Sequence, residues 1–152
     1  MMPHYQKPGW MTQHVFNAVI AGAARLGLSV RGSRVLAVRG RRTGAWRETP
    51  VNPLTVDDDR YLVAPRGDTQ WVRNMRAAGG GELRLGGKAE PFRAQELLDT
   101  QKVEVLRNYL RHWKMETGIF FDGKTATSTD EELLSIAPQH PVFRITPEEP
   151  PG

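Results

Sequence analysis

The sequence contains no cysteine. That excludes a disulfide framework, a thiolate nucleophile and a thiolate metal site. Its four histidines, His4, His14, His112 and His140, are scattered without zinc-like spacing, so no resident metal is expected. No Walker loop and no G-x-S-x-G elbow occurs. The glycine run Gly79-Gly80-Gly81 does not open a long helix after a strand, which excludes a Rossmann reading. Long apolar runs are missing as well. The stretch from Val15 to Leu28 is broken by Asn17 and Arg25 and lacks a clear cleavage site, so neither a bilayer span nor a secretory leader is expected. A cytoplasmic location follows as the expectation.

Acidic residues are absent from the first 47 positions, which carry Lys7, Arg25, Arg31, Arg34, Arg39, Arg41, Arg42 and Arg47. With a total of +4, the remaining residues hold −4. A basic half points to an anionic partner: nucleic acid, an acidic membrane surface or a phosphorylated cofactor. Nucleic acid is disfavoured because no helix-turn-helix, zinc finger or aromatic RNA-binding signature accompanies the charge. The positive charge is densest in Gly40-Arg-Arg-Thr-Gly-Ala-Trp-Arg47. Glycines permit tight turns and close approach of a ligand, and guanidinium forks suit phosphate or carboxylate oxygens. The segment reads either as a cradle for an anionic cofactor or as a solvated hairpin tip.

At 152 residues and 17.1 kDa the chain fits one domain, with a tail and helix at 1–29 and a core at 30–147. Met1–Gly9 reads as a tail. Thr12–Leu26 has Val15, Val19, Gly22, Ala23 and Leu26 near one helical face. This helix either covers the core or makes a peripheral membrane contact. Val35–Arg39 reads as a strand and Arg47–Val56 as a second. Pro50 and Pro53 restrict that second strand to an edge or a bulge. Asp57–Asp59 is a hairpin turn, with a third strand at Arg60–Pro65. Glu82–Leu85 and Lys88–Glu96 form a hairpin through Gly86-Gly87, and Val142–Thr146 is the last strand. A helix from Asp68 or Thr69 to Ala78, apolar at Trp71, Met75 and Ala78, ends at Gly79-Gly80-Gly81. Gln101–Met115 carries Val103, Leu106, Leu110 and Trp113 on one stripe, and Asp130–Ile136 adds a short helix. The pattern predicts an α+β, mainly β protein of about six mostly antiparallel strands with inserted and flanking helices.

Ala64-Pro65-Arg66-Gly67 leads straight into the helix at Trp71, where backbone N–H groups and Arg66 make an anion site. If the second and third strands pair around the triple aspartate, Arg66 lies at the same end as the arginine turn. Trp71 reads as core before it reads as a stacking platform, and Asn74 either bonds a ligand or faces solvent. Trp46 either shields the arginines or, the preferred reading, packs across its hairpin. No catalytic side chain is evident. Water, or Tyr109 or His112 on the long helix, remains as the source of a proton.

The series Gly40-Arg-Arg-Thr-Gly44, Arg47-x-Thr-Pro50, Ala64-Pro-Arg-Gly67, Trp71-x-x-Asn74 resembles the deazaflavin-dependent nitroreductase family. These are actinobacterial split-β-barrel oxidoreductases that use coenzyme F420. The resemblance spans about residues 30–147. It implies that Arg42 and Arg47 hold the coenzyme's phosphate and glutamate tail, with Thr43 and Gly44 offering backbone groups. Thr49, Pro50 and Val51 would border the deazaflavin ring. Ala64, Pro65, Arg66 and Gly67 match the family's small-residue-then-base loop, and Trp71 and Asn74 its short helix beside the cofactor. Arginine stands at 42 and 66 where lysine is frequent, Asp68 replaces a second glycine and Val72 a common aromatic. The tyrosine-rich tail that lines the nitroreductase pocket is missing. The implied function is hydride transfer from reduced F420 to a small electron-poor acceptor: a quinone, an activated alkene or a nitro compound. The alternatives are a non-catalytic F420 or flavin carrier and an FMN-dependent reductase on the same fold. Either a monomer or a homodimer fits.

Overall fold

The computed structural model describes residues 34–117 and 121–148, with no side chains described from 113 to 117. The tail and helix expected before residue 30, Arg31 and the Trp113 side chain lie outside that description. Seven strands occur among the described residues: β1 (Arg34–Arg39), β2 (Trp46–Val51), β3 (Leu54–Val56), β4 (Asp59–Val63), β5 (Gly80–Leu85), β6 (Lys88–Glu96) and β7 (Val142–Pro147). Three α-helices are described: α1 (Gln70–Ala78), α2 (Val103–Thr117) and α3 (Asp130–Ile136).

The strands form one antiparallel sheet in the order β2-β1-β5-β6-β7-β4-β3. Its two edges, β2 and β3, are separated in the chain only by Asn52-Pro53. Three Cα steps of about 3.8 Å cannot span more than roughly 11 Å. The sheet must therefore curl until its edges nearly meet, which makes a split β-barrel. The expected six strands become seven because Arg47–Val56 divides at Pro53, which has no N–H to continue a ladder. Pro50 sits on the edge strand opposite Val35. The triple aspartate does turn a hairpin, but between β3 and β4. Asp57 and Asp58 take φ of 50° and 71°, the pair of positive values that a two-residue type I′ turn needs.

Directly opposed residues of an antiparallel pair share a face. Leu36 thus lies beside Leu83 and Thr49, and Val38 beside Arg47. The inward residues Leu36, Val38, Leu62, Leu83, Phe92 and Phe143 are buried together with Val72 and Met75 of α1. Each fully buried side chain of this kind contributes about 1.5–3 kcal/mol. The sequence expectation of a Trp71–Met75–Ala78 stripe is corrected: Val72, Asn74 and Met75 face inward, and Ala78 is exposed. The helix ends one residue later, where Gly79 adopts the left-handed cap and donates to Met75 O at 2.8 Å. Gly80 and Gly81 do not prolong that cap but open β5. A Cβ on Gly81 would lie 2.5 Å from Ala37 O, so β1 and β5 approach there because the side chain is absent.

A second cluster covers the other face of β3, β4 and β7. It joins Leu54, Val63 and Val142 to Leu106, Tyr109 and Leu110 of α2 and to Leu133 and Ile136 of α3. A 3-10 turn at Asp99–Gln101 precedes α2, so this helix starts two residues later than its apolar pattern suggested. A reciprocal capping box starts α3: Glu132 N donates to Thr129 Oγ1 at 3.1 Å, and Thr129 N to Glu132 Oε1 at 2.8 Å.

Candidate functional site

The arginine turn between β1 and β2 closes on itself. Gly40 N donates to Ala45 O at 2.7 Å and Gly44 N to Gly40 O at 2.8 Å. Gly44 has φ of 77°, a conformation that disfavours any residue with a Cβ. Thr43 Oγ1 accepts from Ala45 N at 3.2 Å, so Thr43 spends its hydroxyl within the turn. Arg41 runs sideways onto α1. Its backbone N donates to Asn74 Oδ1 at 3.1 Å, and its Nη1 to Asn74 Oδ1 at 2.8 Å and to Gln70 Oε1 at 3.0 Å. Arg42 and Arg47 are exposed, and neither side chain has a hydrogen-bond or ion-pair partner among the described residues.

The loop after β4 enters the same helix. Ala64 N donates to Pro141 O at 2.9 Å, Gly67 N to Ala64 O at 3.2 Å and Thr69 N to Gly67 O at 2.9 Å. Gly67 is buried with φ of 83°, while Pro65 and Arg66 are half-buried. Asp68 adds a negative charge here, but Arg76 donates to it at 2.6 Å and Arg73 lies 3.5 Å away. Arg76 also clasps Glu96 through two bonds of 2.8 Å, and that pairing pushes its pKa above the ordinary arginine value. The loop is thus anchored to α1 and β6. Thr69 precedes α1 without a side-chain cap bond, its Oγ1 is buried without a partner among the described residues, and no acid stands in the first turn. The N-terminal end of α1 keeps its positive dipole end uncompensated by its own side chains.

Along β2 the pleat splits the sequence-selected residues. Arg47, Thr49 and Val51 share the inward face with Val38, Leu36 and Arg34, whereas Pro50 points outward with Val35. Trp46 lies outside too, with the Arg39 guanidinium 4.1 Å and that of Arg84 5.0 Å from its ring. Arg84 in turn pairs with Glu48 at 2.8 Å and Glu82 at 2.9 Å. Trp46 therefore lies between two cations, opposite Arg39 across the β1–β2 pair, so both sequence readings of it apply in part. Trp71 is half-buried, its ring 5.9 Å from that of Phe143, so it packs against the barrel interior.

The pairing expected around the triple aspartate is present only between β3 and β4, and the turn and the loop meet at α1. β2 pairs with β1, and no ladder joins it to β4. Proximity comes instead from Arg41 reaching Gln70 and Asn74 while Gly67 and Thr69 lead into the same helix. Asn74 is 4% exposed, so it does not face solvent. Sequence reasoning missed that Arg41, not Arg42, is committed to the helix, and it missed Gln70 entirely. Adjacent arginines in a turn give no periodic signal for which one turns inward. Tyr109 is 3% exposed in the α2 cluster, its ring 6.0 Å from Phe121, and His112 is exposed, its Nδ1 3.2 Å from Asn108 O. A shallow depression lined by Arg60, Leu83, Glu90, Phe92, Ile145 and Pro147 touches none of the selected residues. Among the described residues no cluster of three or more His, Cys, Asp or Glu could hold a metal ion.

This arrangement can hold an elongated anion. Two guanidiniums without a partner among the described residues offer forked donors, and the start of α1 offers backbone N–H groups. The donor set fits a phosphate-and-carboxylate chain better than a neutral ligand. No residue placed there is a strong acid, base or nucleophile, so redox chemistry at this site needs a cofactor.

A family model for F420H(2)-dependent quinone reductase matches residues 10–129. The match starts well before residue 30, so it takes in the segment that the sequence motifs left out. No curated protein matches significantly. Among solved structures, an F420-H2 dependent reductase has a TM-score of 0.53 at 18% identity, covering 76% of this chain and 95% of its own. A domain-swapped dimer has a TM-score of 0.56 at 15% identity, covering 90% of this chain and 97% of its own. A protein of unknown function from Agrobacterium tumefaciens has a TM-score of 0.54 at 15% identity, covering 97% of this chain and 59% of its own. At these identities the likeness carries the split-barrel fold alone.

Proposed function

The chain belongs to the F420H(2)-dependent quinone reductase family, and from that premise we propose that it binds reduced F420 and reduces a quinone. The observation that carries this reading is the exposed, unpaired Arg42 and Arg47 on a turn fastened to α1. Both guanidiniums would grip the phosphate and glutamate oxygens of the coenzyme's tail. Gly44 would let that tail approach the turn backbone, and Thr43 would offer backbone groups beside it. Thr49 and Val51, on the inward face of β2, would border the ring, with the Pro50 backbone between them. Ala64, Pro65, Arg66 and Gly67 would close the opposite side at the start of α1, with Trp71 on its flank.

When bound, the reduced deazaflavin supplies the hydride. The protein's own contribution is to hold donor and acceptor carbons near contact distance and to fix the negative tail. Water, or Tyr109 or His112 on the long helix, would supply the proton. Activated alkenes and nitro compounds are the chemically allied acceptors after quinones. A peripheral membrane contact through residues 12–26, which would bring the site to lipophilic quinones, belongs to the same proposal, as does a homodimer. Among the described residues, no helix is long and apolar enough to cross a membrane.

The test is turnover of reduced F420 with a soluble quinone, followed by the absorbance of oxidised F420. Quinone-dependent oxidation above the uncatalysed rate is expected. Tight binding with no turnover would instead favour a carrier, and turnover with FMN in place of F420 would favour a flavin reductase.

A further inference from the structure

The buried Asn74 makes its described contacts with the turn. Its Oδ1 takes two donors from one residue, the backbone N–H of Arg41 at 3.1 Å and the Arg41 guanidinium at 2.8 Å. These contacts cross 33 positions of the chain and tie the middle of α1 to the tip of the β1–β2 connection. The turn's own bonds use the N–H groups of Gly40, Gly44 and Ala45, not that of Arg41. Without Asn74 that N–H has no described partner, and the turn loses its registration on the helix. Gln70 adds a second amide to the same guanidinium at 3.0 Å. Both partners are neutral. A carboxylate would hold Arg41 equally well but cancel its charge, whereas two amides orient the guanidinium and leave it positive.

We propose that Asn74 is a positioning residue: a neutral latch that fixes the arginine turn so that Arg42 and Arg47 are preset for an anionic tail. This rests on the F420 reading for the identity of the tail but not for the latch itself. In place of a ligand contact, Asn74 acts through Arg41.

The experiment combines two readouts on the full chain. Amide hydrogen exchange at Arg41 reports the latch without any ligand. In the wild type this amide is protected, Asn74→Ala exposes it, and Asn74→Asp restores protection because both donors still find an oxygen. The second readout compares affinity for F420 with that for a tail-less deazaflavin. Asn74→Ala weakens F420 binding about tenfold, the scale of one lost hydrogen bond and its preorganisation, and leaves the tail-less compound within about twofold. Asn74→Asp binds F420 more weakly than wild type despite the restored turn, because the new charge offsets Arg41. If Asn74→Ala does not fold, Asn74→Ser, too short to reach both donors, takes its place. Equal Arg41 exchange in wild type and variant overturns the latch. Equal loss of affinity for tailed and tail-less compounds also overturns it, since Asn74 would then touch the ring or merely support the fold. If the wild type shows no preference for the tail, the cofactor reading falls, and the exchange comparison alone supports or overturns the latch.

Discussion

His140 Nδ1 lies 3.3 Å from the carbonyl oxygen of Ala64, joining residues 76 positions apart. A carbonyl only accepts, so the tautomer that makes this bond carries its proton on Nδ1. Nε2 is then a buried acceptor without a partner among the described residues. The ring stacks on Phe121 at 4.0 Å, and the next residue, Pro141, accepts from Ala64 N. The C-terminal cluster thereby braces the loop that leads into α1.

Burial pushes the His140 pKa below its ordinary value of 6.5, with Lys102 adding to the shift and the Ala64 bond opposing it. Between that lowered value and 6.5, the unfolded chain binds more protons than the folded one. Stability from this group is therefore full above 6.5, falls as pH drops through the window, and levels off below the folded value. Each unit of separation amounts to about 1.4 kcal/mol. A His140→Phe variant keeps the stack on Phe121 and removes the titration. Urea unfolding of both proteins between pH 7.5 and 5 checks this. The wild type should lose stability relative to the variant as pH falls, and parallel pH profiles would count against it.

Arg42 and Arg47 differ from Arg41 in that neither side chain has a partner among the described residues. Replacing either by alanine should cost F420 binding about 1.5–3 kcal/mol, the range for hydrogen bonds to charged groups. The melting temperature should barely move, because no described intramolecular contact is broken. Calorimetry of cofactor binding beside a thermal melt separates the two effects. Unchanged affinity in Arg47→Ala would remove that residue from the site.

Gly44 tests the turn's backbone. An added Cβ would meet nothing within 4 Å, so Gly44→Ala is charged only for a left-handed φ of 77°. That penalty is about 1–2 kcal/mol. It should show in folding stability or, if the turn relaxes to avoid it, in cofactor affinity. A variant with both quantities unchanged would mean that the turn shape is not required.

Much of the barrel was legible because its signals are local. Val35–Arg39 reads as a strand from its apolar run, and Gly86-Gly87 marks a two-residue hairpin. Asp130–Ile136 is bounded by the Thr129–Glu132 capping pattern. What escaped is long-range. Which strands flank β7 depends on pairing across more than 40 residues. At the site, the residue types were visible but their assignments were not. Arg41 and Arg42 are chemically identical neighbours, and only the position of α1 decides that Arg41 is latched. Asn74 has the same sequence signal whether it touches a ligand or an arginine. The ion pairs of Arg76 with Asp68 and Glu96 join a loop, a helix and a strand, and no sequence spacing announces them.

The account's central claim is that this turn and helix bind the anionic tail of F420. Titration calorimetry of the protein with short-tailed F420, long-tailed F420 and FMN, at low and high salt, tests it most directly. F420 should bind more tightly than FMN, and affinity should rise modestly with tail length, by about 0.2–1 kcal/mol for each exposed ion pair added. That gain should shrink at high ionic strength, where exposed charges are screened. Equal affinity for F420 and FMN, with no dependence on tail length or salt, would contradict the claim.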